Sequence, residues 1–117
     1  EIKNSILCIN KTNADILYFA DSLGSLDAHK TSKIIKKIRL FWKGSMGIHT
    51  HDNMGKAMEN SISAKKNLVE WIDTTVTGIG RGPGNTKTEY AILEFKKLST
   101  NEFSVDELVD IINESLS

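Results

Sequence analysis

The chain alternates short apolar runs with longer amphipathic segments. Three runs are rich in residues that favour strands and too short for typical helices: Asp15 to Ser22, Ser45 to Asp52 and Trp71 to Gly78. Segments with apolar residues at helical spacing surround them. The resulting order, α-β-α-β-α-β-α-α, implies parallel strands joined by right-handed crossovers. The predicted fold class is therefore α/β.

The helices are predicted from apolar residues that recur on one helical face. Their spans are Ile2 to Asn13, Ala28 to Lys43, Met54 to Val69, Thr86 to Leu98, and a last helix from Ser104, where "SVDE" matches a capping box. The second helix carries a lysine-rich face, which we interpret as solvated rather than membrane-binding. The first strand is expected to be buried on both faces, and Trp42 and Trp71 are expected in the core.

Composition narrows the classes of partner. The 117 residues suit one domain, and 15 basic residues balance 15 acidic ones, so clustered positive charge for nucleic acid or an anionic membrane is not expected. The longest apolar run, Ile16 to Ala20, is far shorter than the roughly 20 residues that a transmembrane helix needs. The single cysteine, Cys8, and the lack of a leader pattern favour a cytoplasmic location. Because the first residue is Glu1, we expect a piece excised from a longer protein.

Polar or glycine-rich stretches follow each predicted strand: "DSLGS", "HTHDN" and "GIGRGPGN". The carboxyl ends of parallel strands meet at one edge of a sheet, where ligands of α/β proteins usually bind. The three stretches are therefore expected to meet at that edge and to form the functional site.

Two histidines one residue apart dominate the second stretch. Residues i and i+2 of a strand project from the same face, so His49 and His51 are expected to point together. Two neutral imidazoles can share a divalent cation, or they can simply be hydrogen-bonded histidines in a polar pocket. Asp52 and Asn53 could cap the next helix, with capping favoured for Asn53, and Asp52 could instead orient a ligand histidine.

The third stretch does not match a nucleotide-binding loop. The spacing G-x-G-x-x-G fails because Pro83 stands where a glycine is required, and a Walker lysine is absent. Four glycines, including Gly80, would still let the backbone approach a ligand, although a mobile turn is an alternative. Arg81 could contact a carboxylate. Asn85 could bind a metal or cap the next helix.

Taken together, three segments resemble the last three strands of the metal-dependent carbon–carbon lyase and synthase superfamily, the hydroxymethylglutaryl-CoA lyase-like barrels. The segments are "YFADSLGSL", "GIHTHDNMGKAMENSISA" and "WIDTTVTGIGRGPGNTKTE", and the match runs from about Asp15 to Phe95. The resemblance implies part of a (β/α)8 TIM barrel, with strands six to eight. Residues 1–99 would be the carboxy-terminal part of the barrel, and residues 100–117 a carboxy-terminal helix.

The resemblance also implies roles for the residues at the strand ends. The implied ligands of Mn²⁺ or Mg²⁺, with Zn²⁺ as an alternative, are His49, His51 and Asn85. Asp21, Ser22 and Gly80 would lie at the substrate, and Arg81 would act in catalysis by contacting a substrate carboxylate.

The family's first-strand segment, with an arginine and a metal-binding aspartate, is absent from this sequence. The resemblance therefore implies an incomplete site that is inactive as an isolated chain and that needs the remainder of the barrel or a second copy. Arg81 and Pro83 stand where the lyases carry a cysteine, and the loop lacks the acidic residue of the synthases. These details favour an aldolase acting on a 4-hydroxy-2-oxo acid; an acyl-CoA-dependent 2-oxo acid synthase or a non-catalytic half-barrel are the alternatives.

Overall fold

The computed structural model describes residues 1–95, 109–110 and 112–114. Within residues 1–95, helices α1 (Ile2–Ile9), α2 (Ala28–Arg39), α3 (Ala57–Lys66) and α4 (Thr88–Phe95) alternate with strands β1 (Ile16–Asp21), β2 (Ser45–Thr50) and β3 (Trp71–Ile72). This order confirms the predicted alternation. Residues 109–110 and 112–114 are helical, whereas the capping box at Ser104 and the boundary at residues 99 and 100 lie outside the described residues.

The three strands form one parallel sheet in the order β1-β2-β3. A helix connects each strand to the next, as the crossover rule requires. The register places Tyr18 beside Gly47 and Gly47 beside Trp71. The fold is thus the predicted α/β class, with its polar segments at the carboxyl edge of the sheet.

Strand β3 is much shorter than predicted. The nitrogen of Asp73 still donates to the Ile48 carbonyl oxygen at 3.0 Å, but Thr75 pairs instead with the segment before α4, donating to the Thr86 carbonyl oxygen at 3.0 Å. Val76–Gly78 then form a single 3₁₀ turn. Beyond Asp73 the chain therefore pairs with the segment before α4 rather than extending the sheet.

The hydrophobic core lies between the sheet and the helices on one side of it. Met46 and Ile48 of β2 are fully buried there, and the residues packed around them include Ile35, Ile38 and Trp42. The exposed lysines of α2, Lys33, Lys36 and Lys37, lie away from this core. Among the described residues, none of the helices has the length and apolar character needed to cross a membrane.

The opposite face of the sheet is open. Tyr18 of β1 is 43% exposed and Trp71 of β3 is 51% exposed. The expectations that β1 is buried on both faces and that Trp71 belongs to the core are therefore wrong, although Trp42 is buried as expected. Both errors have one cause: the described residues place helices against a single face of the sheet.

Candidate active site

The two histidines lie together on the open side of the sheet. His49 is in β2 and His51 directly follows it, and their ring centroids are 4.8 Å apart with an interplanar angle of 78°. The two-residue period of a strand predicts this arrangement. Both side chains are partly buried, so the pair is accessible from the open face while its neighbours restrict its orientation.

His51 is oriented by the first strand. Its Nδ1 lies 2.8 Å from the Asp21 carbonyl oxygen, which can only accept a hydrogen bond. Nδ1 therefore carries the hydrogen, and the lone pair of the neutral ring remains on Nε2. This is the protonation pattern of a histidine that binds a metal through Nε2.

The carboxylate of Asp21 serves the turn after β1. It is buried and accepts hydrogen bonds from the backbone nitrogens of Ser25 and Leu26 at 3.0 and 3.1 Å. The side chain thus fixes the turn while the main chain orients His51. A contact between Asp21 and substrate stays a prediction, as does its counterpart at Ser22, whose side chain is exposed.

His49 is oriented from the other side, by the residue after β3. Its Nδ1 lies 3.2 Å from Oδ2 of Asp73. No local sequence pattern marks Asp73 as a site residue. Its position two residues after Trp71, which pairs with Gly47, is the signal that could have found it, because the same parallel register brings Asp73 beside His49.

A cleft of about 510 Å³ opens beside His51. It brings together residues from all three strand-end segments: Ser22, Leu23, His51, Asn53, Arg81, Gly82 and Pro83. The predicted convergence of the three segments is therefore confirmed for Ser22, His51 and Arg81. Asp21, His49, Gly80 and Asn85 are not among the residues that line this cleft.

Asn85 is buried at the base of the glycine-rich loop and forms a backbone bridge with His51. Its Nδ2 donates to the Ile79 carbonyl oxygen at 3.3 Å, while its Oδ1 is buried without a hydrogen-bond partner. A Cβ at Gly80 would overlap Nδ2 of Asn85, so the glycine leaves the space that Asn85 occupies. An unpaired buried amide oxygen is costly, and a cation is one partner that would satisfy it.

Of the two residues after His51, Asp52 takes one of its two expected roles and Asn53 does not. Oδ1 of Asp52 accepts a hydrogen bond from the nitrogen of Ala57 at 3.0 Å and so supports the start of α3. Asn53 instead packs against Gly24, where a Cβ would overlap its side chain. Capping by Asn53 is therefore wrong, because the close approach of the first turn holds that side chain away from the helix.

Three buried hydroxyl groups form a hydrogen-bonded cluster next to the site. Oγ1 of Thr86 lies 2.6 Å from Oγ1 of Thr50 and 2.8 Å from Oγ of Ser61. The cluster joins β2, α3 and the glycine-rich loop. Sequence reasoning missed it because the three residues are far apart in the chain and no local pattern marks their contact.

The donor set suits part of a divalent-metal site. The described residues contain no group of three or more His, Cys, Asp and Glu side chains placed to hold a metal. The histidine pair with Nε2 lone pairs and the unpaired amide oxygen of Asn85 nevertheless offer nitrogen and oxygen donors that Mn²⁺ and Zn²⁺ accept. The residues present therefore fit such an ion, provided that other groups supply further oxygen ligands.

The fold and the strand-end residues define the class of the protein: part of a (β/α)8 barrel with a polar cleft at the carboxyl edge of its sheet. The family model described as HMGL-like matches residues 1–113. The chain belongs to this family.

Named relatives agree with this assignment. The chain is 30% identical over 103 residues to 4-hydroxy-2-oxovalerate aldolase from Carboxydothermus hydrogenoformans, covering 86% of this chain and 30% of that protein. It is 29% identical over 99 residues to 2-isopropylmalate synthase 2 from Caldanaerobacter subterraneus, covering 85% of this chain and 26% of that protein. The chain thus spans less than a third of the length of these two relatives.

A solved structure shows the same fold. The HMG-CoA lyase from Bacillus subtilis superimposes with a TM-score of 0.82 at 16% identity, over 97% of this chain and 42% of that one. At this identity the comparison supports the fold alone. It agrees with the assignment of the three parallel strands to part of a TIM barrel.

Proposed function

We propose that this chain supplies the metal-binding part of a divalent-metal-dependent aldolase that cleaves or forms a carbon–carbon bond of a 4-hydroxy-2-oxo acid. The observation that carries the proposal is the histidine pair, in which each Nδ1 faces an oxygen acceptor and each Nε2 remains available. The similarity to 4-hydroxy-2-oxovalerate aldolase supports the substrate class.

In this proposal Nε2 of His49, Nε2 of His51 and Oδ1 of Asn85 hold Mn²⁺ or Mg²⁺, and Zn²⁺ is the alternative. Such an ion, when bound, stabilises the negative charge that develops on the keto oxygen during carbon–carbon cleavage. Arg81 lines the cleft beside His51, where its guanidinium can bind a substrate carboxylate and align the reacting bond.

The residues around the cleft bind and orient the substrate. Ser22 lines the same cleft as Arg81. Asp21 and Gly80 act indirectly, since the Asp21 side chain holds the turn after β1 and Gly80 leaves space for Asn85. Asp21 and Ser22 lie at the end of β1, whereas Gly80 and Arg81 lie in the glycine-rich loop, after β3 and the 3₁₀ turn.

The proposal includes a requirement for more protein. The described residues contain no group of three or more His, Cys, Asp and Glu side chains that could hold a metal, and a hard cation prefers carboxylate ligands. We therefore propose that the chain alone is inactive and becomes active with the remainder of the barrel or with a second copy. A cytoplasmic location is part of the proposal, because the one cysteine, Cys8, is a free and exposed thiol.

Metal binding is tested with Mn²⁺ alone, by electron paramagnetic resonance of the 117-residue chain. We expect the free Mn²⁺ signal to fall with the wild-type chain and to be restored by His49→Ala and by His51→Ala. His29→Ala is the matched control, because His29 is exposed on α2. Equal binding by the control and both site variants would refute the proposed ligands.

The main alternative is an acyl-CoA-dependent 2-oxo acid synthase, which the similarity to 2-isopropylmalate synthase 2 favours. The two chemistries differ in their need for a thioester. With the complementary part of the barrel added, the aldolase should cleave a 4-hydroxy-2-oxo acid without coenzyme A, whereas the synthase should release coenzyme A only with a 2-oxo acid present. A non-catalytic module would bind no Mn²⁺ and do neither.

A further inference from the structure

We infer that Asp73 is a positioning residue that fixes the tautomer of His49 and thereby prepares its Nε2 for a cation. The role in cation binding rests on the proposed function. The tautomer of His49 depends only on side chains of this chain. The inference is carried by the contact between the carboxylate of Asp73, just after β3, and the ring of His49 in β2.

Gly47 leaves room for the ring of Tyr18 on the open face of the sheet. It lies between Tyr18 and Trp71 in the register of the sheet, and a Cβ there would overlap the ring of Tyr18. The phenol of Tyr18 therefore lies across β2 instead of standing upright on β1. Burial first, and then the negative charge of the nearby Asp73, raise the pKa of Tyr18 above its ordinary value.

The carboxylate of Asp73 faces the ring of His49. Its Oδ2 lies 3.2 Å from Nδ1 of His49. Because an ionised carboxylate only accepts hydrogen bonds, Nδ1 of His49 must carry a hydrogen. The neutral imidazole then keeps its lone pair on Nε2, the one nitrogen that remains for a metal.

The two histidines reach the same tautomer by different means. His51 faces a backbone carbonyl oxygen, that of Asp21, which side-chain substitution does not remove. His49 depends on a carboxylate that substitution does remove. His51 therefore serves as an internal control in any variant of Asp73.

The experiment measures ring protonation in the metal-free 117-residue chain, by long-range ¹H–¹⁵N NMR of labelled histidines at about pH 8.5, above the usual titration range of imidazole. In the wild type we expect both His49 and His51 to carry hydrogen on Nδ1. In Asp73→Ala, His49 should lose this preference while His51 keeps it. Asp15→Ala is the matched control, because Asp15 is exposed and precedes β1, and it should leave both rings unchanged.

A second readout is the affinity for Mn²⁺, which we expect to fall by about 10- to 100-fold in Asp73→Ala and to stay unchanged in Asp15→Ala. A wild-type His49 with its hydrogen on Nε2 overturns the inference. This measurement uses only the wild-type chain, so it does not depend on whether a variant folds. An unaltered His49 in a folded Asp73→Ala chain also overturns it. If the wild type fails to bind Mn²⁺ but shows the expected tautomers, the proposed function fails while the assignment of Asp73 stands.

Discussion

At the scale of the residue, the site depends on glycines, whose missing Cβ leaves space for neighbouring atoms. Gly80 leaves space for the amide of Asn85, and Gly47 leaves space for the ring of Tyr18. Gly84 has a φ of +92°, and a Cβ there would overlap the Gly78 carbonyl oxygen. In each case a neighbouring atom lies too close to the backbone for a side chain to fit.

The two glycines on either side of Pro83 should therefore respond differently to alanine. Gly82 has a φ of +62° but no atom within 4 Å of its ideal Cβ, so Gly82→Ala should cost about 1–2 kcal/mol for the left-handed backbone alone. Gly84→Ala should cost about 1–3 kcal/mol more, since it adds overlap with backbone. Urea unfolding of the two variants measures the difference, and equal free energies of unfolding would contradict the packing described here.

At the scale of the element, a side chain continues the hydrogen bonding at the start of the sheet. Oε2 of Glu70, just before β3, accepts from the nitrogen of Met46 in β2 at 2.8 Å. The guanidinium of Arg39, at the end of α2, lies 3.4 Å from the same oxygen and also donates to the Leu68 carbonyl oxygen at 3.2 Å. One carboxylate thus joins a helix to two strands.

This arrangement predicts a pH dependence of stability. The hydrogen bond from Met46, and to a smaller extent Arg39, holds the pKa of Glu70 below its ordinary value. The stabilisation is therefore complete above the ordinary glutamate range of about 4.3 and is lost as the pH falls through the lowered pKa of the folded chain. Because the side chain is half exposed, we expect less than about 1 kcal/mol.

The measurement is the free energy of unfolding of wild type and Glu70→Gln between neutral and acidic pH. The wild type should be the more stable at neutral pH, and the gap should close on acidification. Glu94→Gln, at an exposed position of α4, is the control and should show no such gap. A gap that widens towards acid would reverse the sign of the proposed linkage.

At the scale of the whole molecule, the described chain covers one face of its sheet and leaves the other open. The open face carries Tyr18 and Trp71 beside the histidine pair, and β1 and β3 are both edge strands of the three-stranded sheet. Exposed aromatic area next to an unpaired edge favours association with further strands. This is the geometry expected of part of a barrel.

We therefore expect the 117-residue chain to associate in a concentration-dependent way. Trp71→Ser should shift this equilibrium towards the monomer, as measured by sedimentation velocity. Leu40→Ser is the control, because Leu40 is 67% exposed but follows α2, away from the open face. A wild type that stays monomeric at all concentrations, or an equal effect of both substitutions, would contradict association through this face.

Local sequence patterns were enough to predict the order of helices and strands, the parallel sheet and the shared side of His49 and His51. Each follows from local periodicity and from the chirality of crossovers. The convergence of Ser22, His51 and Arg81 was also predictable, since parallel strands end at one edge. Contacts within the folded chain were needed for the early end of β3, the exposure of Trp71, the choice between the two roles open to Asp52, the buried hydroxyl cluster and the place of Asp73. These depend on contacts between residues distant in the chain, whose energies no local pattern records.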